Sequence, residues 1–360
     1  MQIRWKTKRV RALLTMAVPS SLLLATLAGC GGGSPKEEVV FPPSNTRYST
    51  IPSLSDAPWA DELQDEQDQC EQRLSETMES FLTGSCEGKY VNVSSGGRMT
   101  RRSTVDAARH VSIWFSGGSA AFGIAQRDSG TVASQLVKLA EEDGIALDIQ
   151  NLAHVGFDLH QEIEYEIRPK LQQGPPPDII VVFDGFNDAA GEVFTDFLEG
   201  IDPNRDHAPL SSIDVNEINE RADTFLHAPR EELDDLGNAS GRIAAKRYRA
   251  LQDDLRALAP AETQIEYFFQ PDALVSVTQI EDAYGQVIAS PSAIASSPLA
   301  IALDRMSSEL EDEVVNLRPL FEDEDRPAFV GLVHQNEWGA AQAANAIYTE
   351  LLPTLREMTR

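Results

Sequence analysis

Four short segments of the sequence carry residues whose types suit acyl-transfer chemistry. Ser119 follows two glycines at the end of a β-rich run, so its hydroxyl would be exposed and its backbone N–H could face a developing oxyanion. Gly156 would let backbone approach a ligand closely, and the Asn187 amide could donate to the same oxyanion. His334 carries an imidazole, which can accept a serine proton near neutral pH.

These segments follow predicted β-strands that alternate with predicted helices. Strands are predicted at 111–115, 146–152, 178–184, 264–269 and 328–333, and helices at 129–142, 159–171, 240–258, 297–316 and 337–352. The run at 178–184 is continuously apolar, as in a strand covered by helices on both faces. The pattern predicts an α/β fold, a three-layer α/β/α sandwich with a five-stranded parallel sheet of flavodoxin-like type. Ligands bind at the carboxyl ends of such strands, where the four segments would meet.

The four segments also resemble, in type and order, the motif blocks of SGNH hydrolases. The blocks are the Gly-Gly-Ser of Ser119, the segment ending at Gly156, the Gly-x-Asn-Asp around Asn187, and a final His334 followed by a glycine and a helix. Gln270-Pro271, after the fourth predicted strand, also resembles the sequence of bacterial family members whose first block is Gly-Gly-Ser. The resemblance to the family covers about residues 110–355.

This resemblance implies roles for the residues. Ser119 would be the nucleophile and His334 its base, and the oxyanion hole would comprise the Ser119 N–H, Gly156 and Asn187. Asp188 would hold its loop through backbone hydrogen bonds, and His154, in the Gly156 block, could touch substrate.

The chain departs from the family at one position. The family places Asp three residues before the histidine, where this chain has Gly331. Asp323, Asp325 and Glu337 are near enough in sequence to substitute, and some family members are thought to use a backbone carbonyl instead. Two functions follow. The first is a serine esterase acting on an ester, such as an O-acetyl group of a polysaccharide or a lipid or small acyl ester. The alternative is a catalytically degenerate scaffold or carbohydrate-binding protein.

The N-terminus resembles the leader of a bacterial lipoprotein. A basic start is followed by an apolar run from 12 to 29, and Leu27-Ala28-Gly29-Cys30 is similar to a lipobox. The resemblance implies that 1–29 is removed and Cys30 acylated, with Gly31 favouring the outer membrane of the cell envelope. An uncleaved anchor or an ordinary secretory signal is the alternative. Beyond it we predict a linker at 30–58, an N-terminal helical and irregular extension at 59–109, and the main domain at 110–360 with an insertion at about 189–238.

The chain is strongly acidic, with a net charge of −27. Without residues 1–29 it would hold 25 basic and 57 acidic residues, a net charge of −32. This charge excludes nucleic acid as an expected partner. It also argues against attraction to anionic lipid, which leaves the acyl chains of Cys30 as the predicted membrane attachment.

Cys70 and Cys86 remain as a pair if Cys30 is acylated. An oxidising compartment favours a disulfide between them, with two unpaired thiols as the alternative. Two cysteines without nearby histidines do not supply four metal ligands, so no metal is predicted, and no cofactor either.

Overall fold

The computed structural model describes residues 46–74, 82–95, 97–213, 228–284 and 291–360. The predicted leader, Cys30 and most of the linker lie outside these ranges. Within them, no helix is long and apolar enough to cross a membrane.

A seven-stranded sheet forms the centre of the domain. Its strands are β1 (Val93–Ser94), β2 (Gly97–Arg98), β3 (Val111–Gly117), β4 (Leu147–Asn151), β5 (Ile179–Asp184), β6 (Gln264–Phe269) and β7 (Val315–Asn316). Their order is β1-β2-β4-β3-β5-β6-β7. The pairs β1–β2 and β2–β4 are antiparallel, and the pairs β4–β3, β3–β5, β5–β6 and β6–β7 are parallel. The parallel strands therefore follow the flavodoxin-like order 2-1-3-4-5, which confirms the predicted fold class.

The core lies on both faces of the central strands. All six residues of β5 are buried, because helices cover it on each side. The β4 strand instead alternates buried and exposed residues, as expected nearer the edge of the sheet.

Helices form the outer layers. They are α1 (Ala60–Leu74), α2 (Ser119–Phe122), α3 (Val132–Glu142), α4 (Leu159–Gln161), α5 (Arg168–Gln173), α6 (Phe186–Glu199), α7 (Arg230–Leu258), α8 (Val277–Tyr284), α9 (Pro291–Ala295), α10 (Pro298–Glu309) and α11 (Glu337–Met358). A π-helical turn, Glu162–Ile167, joins α4 to α5. Helices α3 and α11 pack together, and α6, α7 and α10 form a second group.

The prediction of a last strand at 328–333 is wrong. The fifth parallel strand is β7, and the apolar run instead enters a hairpin of β8 (Phe329–Val330) and β9 (His334–Gln335). Periodicity does not distinguish a short buried hairpin from a buried strand, because both are continuously apolar. His334 therefore lies within a hairpin outside the main sheet and not after a parallel strand.

Three other predicted regions differ from expectation. The helix predicted at 297–316 ends at Glu309, and the last residues of that range form β7. The irregular connection predicted at 87–108 contains the short strands β1 and β2. The predicted insertion at 189–238 begins inside α6 and ends inside α7, and residues 214–227 lie outside the described ranges.

The N-terminal extension packs against the main domain. Cys70 and Cys86 form the predicted disulfide, with their Cα atoms 5.7 Å apart. Leu63 of the extension is fully buried in the common core. Ser53 belongs to the predicted linker, and its hydroxyl donates to the carbonyl of Phe329 at 2.7 Å. The end of the predicted linker therefore contacts the hairpin that carries His334.

Candidate active site

Ser119 and His334 meet at the carboxyl end of β3. The distance between Ser119 Oγ and His334 Nε2 is 2.8 Å, although 215 residues separate them in sequence. Ser119 is the first residue of α2, and Gly118 alone separates it from the end of β3. A Cβ at Gly118 would lie 2.6 Å from Asn187 Nδ2, so only glycine permits this close approach of backbone to the amide.

Three N–H groups beside Ser119 are available to a ligand. Asn187, in the first turn of α6, donates from Nδ2 to the Phe157 carbonyl at 2.6 Å, and its second amide hydrogen has no recorded acceptor. Among the described residues, the backbone N–H groups of Ser119 and Gly156 also donate to no acceptor. Gly156 has φ +80°, and a Cβ there would meet nothing within 4 Å, so this turn borders open space.

Among the residues that the structure describes, no carboxylate bonds to the imidazole of His334. In the described residues, its one recorded side-chain hydrogen bond is with Ser119. Burial lowers the pKa of His334 to about 4, and no acid contributes to that shift. Gly331, at the family's Asp position, lies in the hairpin turn with φ +73°.

The three acids predicted as substitutes do not fill this role. Asp323 and Asp325 are exposed and form no recorded hydrogen bond to His334. Glu337 instead binds the Arg127 guanidinium at 2.7 Å. The group that would orient the imidazole is therefore missing from the side chains that the structure describes.

The hairpin of His334 is held mainly through backbone carbonyls. Gln335 donates from Nε2 to the Pro271 carbonyl at 3.1 Å, and Gln126 donates to the Gln335 carbonyl at 2.8 Å. Asn336 donates to the Ser53 carbonyl at 3.2 Å. These contacts fix the backbone around the histidine and do not involve its ring.

Buried acids lie behind the serine side of the site. Glu162 accepts a hydrogen bond from the Ser116 hydroxyl at 2.7 Å, and Glu166 Oε1 lies 2.9 Å from His154 Nε2. His154 is 3% exposed and its ring packs inside the protein, which leaves little of it for the substrate contact considered from the sequence. Asp188 accepts from the Leu159 N–H at 3.3 Å, in keeping with the structural role expected for it.

Burial also perturbs the acids of this region. It raises the pKa of Asp188 to about 7, with Asp158 adding like-charge repulsion. Burial likewise raises the pKa of Glu162 and Asp184 well above their ordinary values. The carboxyls nearest the sheet therefore tend to keep their protons.

Glu162 and Glu166 are not among the residues that the sequence singles out. They lie four residues apart, each directly before a buried isoleucine, in a segment whose apolar period predicts an ordinary helix. Two acids flanking buried apolar positions were the available signal. No group of three or more potential ligands is arranged to hold a metal ion in the described part of the chain.

No family model matches the chain, and no curated protein matches it. Several solved structures are similar. They include the lipase Lip_vut3 from a goat rumen metagenome, 10% identical over 66% of this chain and 97% of that chain, with a TM-score of 0.40. A member of the lipolytic protein G-D-S-L family from Veillonella parvula DSM 2008 is 14% identical over 65% and 94%, with a TM-score of 0.36.

A Clostridium thermocellum family 3 carbohydrate esterase is 15% identical over 70% of this chain and 100% of that chain, with a TM-score of 0.36. These similar structures are lipases and esterases, the kinds of protein to which the motif resemblance pointed. At such identities and TM-scores the likeness assigns no activity to this chain.

Proposed function

We propose that this protein is a serine ester hydrolase of the SGNH type. One observation carries the proposal: Ser119 Oγ lies 2.8 Å from His334 Nε2, and within the described residues the backbone N–H groups of Ser119 and Gly156 and one of the two Asn187 amide hydrogens have no acceptor. A nucleophile within hydrogen-bond distance of its base, with donors near the reacting atom, is the arrangement that acyl transfer requires.

The geometry supports a two-step reaction. Ser119 Oγ attacks the ester carbonyl carbon while its proton passes to His334 Nε2. The resulting oxyanion accepts hydrogen bonds from the N–H groups of Ser119 and Gly156 and from the Asn187 amide. The C–O bond to the alcohol then breaks, and His334 returns the proton to the leaving oxygen. Water, activated by the same imidazole, hydrolyses the acyl-serine and releases the acid.

The proposed substrate is an ester of the cell envelope. We include here an O-acetyl group on a polysaccharide and a lipid or small acyl ester. The lipobox-like sequence ending at Cys30 supports placement at a membrane, with the outer membrane favoured by Gly31. Cys30→Ala tests the anchoring: we expect the variant to leave the membrane fraction or to retain its leader. Normal processing and membrane association of the variant would contradict it.

A binding-only role is the second candidate. It is favoured by Gly331 and by the lack of a carboxylate on His334, since an orienting Asp can be worth about 10⁴-fold in rate. In that case the cleft would bind an acylated carbohydrate or serve as a scaffold without turning it over.

The experiment that separates the two uses a fluorophosphonate, which reacts with an activated serine whatever the natural substrate is. We expect labelling of wild-type protein and hydrolysis of a short-chain chromogenic ester. Both should be lost in Ser119→Ala and fall strongly in His334→Ala. Ser129→Ala, which changes an exposed serine away from the sheet, is the matched control. A folded wild-type protein that neither labels nor hydrolyses the ester would support the binding-only role.

A further inference from the structure

The π-helical turn Glu162–Ile167 presents two glutamates to the back of the active site. Glu162 is 1% exposed and Glu166 is 6% exposed. Each hydrogen-bonds to a different segment of the chain: Glu162 to Ser116 and Glu166 to His154. Glu164, between them, faces outward and pairs with Arg168 at 2.8 Å. A π-helical turn is rare and is frequently found at functional sites.

The two bonded segments are those that supply the backbone donors. Ser116 lies in β3, three residues before Ser119. His154 lies two residues before Gly156, and its backbone N–H donates to the Gly117 carbonyl at 3.1 Å, which joins the two segments.

The third donor connects to the same structure. The Phe157 N–H donates to the His154 carbonyl at 3.3 Å, and the Phe157 carbonyl accepts the Asn187 amide at 2.6 Å. The position of His154 therefore helps to determine the position of Gly156 and, through Phe157, that of the Asn187 amide.

Burial of the Glu162 carboxyl is unfavourable for stability. In the described part of the chain its Oε1 is buried without a hydrogen-bond partner, and burial raises the pKa of this carboxyl well above the ordinary range. Leucine at such a position would avoid the desolvation of a carboxyl group. A buried polar group kept beside a site, at that cost, is explained if its hydrogen bond fixes a geometry that apolar packing would leave less defined.

We propose that Glu162 and Glu166 are positioning residues. They hold the oxyanion donors of Ser119, Gly156 and Asn187 in the relative positions that let all three reach one oxyanion. The inference rests on the proposed hydrolase function and deepens it. Neither glutamate touches substrate: Glu162 acts through Ser116, and Glu166 acts through His154.

The test measures kcat and KM of the full chain on a chromogenic acetyl ester, with thermal unfolding of each variant. We expect Glu166→Leu to lower kcat by about 10²-fold and to leave KM nearly unchanged, because the donors bind the oxyanion only in the transition state. Glu166→Gln should recover most of the rate, since its amide oxygen can still accept from His154. Ser116→Ala, a smaller change, should lower kcat by about tenfold. Glu164→Leu is the control on the outer side of the same turn.

The outcomes distinguish failure of the proposed hydrolase function from failure of the positioning role. A folded wild-type protein without hydrolysis or labelling overturns the hydrolase and the positioning role together. An active wild type in which Ser116→Ala and Glu166→Leu match Glu164→Leu in kcat overturns the positioning role alone. If Glu166→Leu does not fold, two other variants test the proposal. An unchanged kcat in Ser116→Ala would contradict the positioning role of Glu162. A Glu166→Gln variant as slow as Ser119→Ala would contradict the hydrogen-bond role of Glu166.

Discussion

The serine side of the site is carried by the parallel sheet, whereas the histidine side is carried by a short hairpin outside it. Ser119 follows β3 and Asn187 follows β5, two strands paired along five registered positions. His334 begins β9, whose pairing with β8 comprises two registered positions. Ser119 and Asn187, the proposed nucleophile and one proposed oxyanion donor, are thus fixed by the core, and His334, the proposed base, is fixed by a local turn.

The two sides also differ in how their polar groups are supported. Behind Ser119, buried side chains hydrogen-bond to one another and to the donor segments. Around His334, the recorded contacts of the hairpin hold the backbone, and the ring itself bonds to Ser119 alone in the described residues. Charge stabilisation is therefore preorganised, while proton transfer depends on an imidazole of low basicity.

The largest effect expected from this comparison follows removal of a donor on the rigid side. Asn187→Ala should lower kcat by about 10²- to 10³-fold, the usual loss when one oxyanion donor is deleted. KM should change little. Steady-state kinetics on a chromogenic ester measure it, with Asn345→Ala, an exposed asparagine of α11, as control. A loss below about threefold would place the oxyanion elsewhere.

A gain is expected on the histidine side. Gly331→Asp adds a carboxylate at the family's acid position and should raise kcat/KM by about tenfold, less than the full value of an orienting Asp because φ there is +73°. Gly331→Asn is the control, since asparagine tolerates positive φ and carries no charge.

The pH profile of the same variants sharpens this prediction. The base must be neutral, so wild-type kcat/KM should fall on the acid side near the His334 pKa of about 4. A nearby carboxylate favours the imidazolium, so Gly331→Asp should move this acid limb to higher pH. Equal gains for Asp and Asn, or a wild-type limb near pH 6.5, would show that His334 is not limited in the way its burial suggests.

The difference between the two sides also explains what the sequence could predict. The short β-rich run of β3 and the continuous apolar run of β5 predict where these strands end, and with them the places of Ser119 and Asn187. The sequence predicts a strand in place of the hairpin because residues 328–333, which include β8 and the turn, are apolar apart from Gly331. The bonds from Glu162 and Glu166 join segments distant in sequence, and periodicity carries no information about such pairs.

The smallest effect concerns stability, and the two sides should contribute to it with opposite signs. The pKa of Asp188 is raised to about 7, so the folded protein keeps a proton that the unfolded chain loses above about pH 4, and unfolding becomes easier as pH rises from about 4 to 7. The pKa of His334 is lowered to about 4, so this group has the reverse effect: stability is lost as pH falls below about 6.5. In Asp188→Asn the free energy of unfolding should therefore fall less steeply as pH rises from about 4 to 7, by the slope that roughly one proton contributes. In His334→Asn the free energy of unfolding should fall less steeply as pH drops below about 6.5. Urea unfolding at pH 4.5, 6 and 7.5 measures both slopes, with Asp148→Asn, an exposed position of β4, as the control. Slopes that change in the same direction in the two variants would contradict the opposite titration of the two sides.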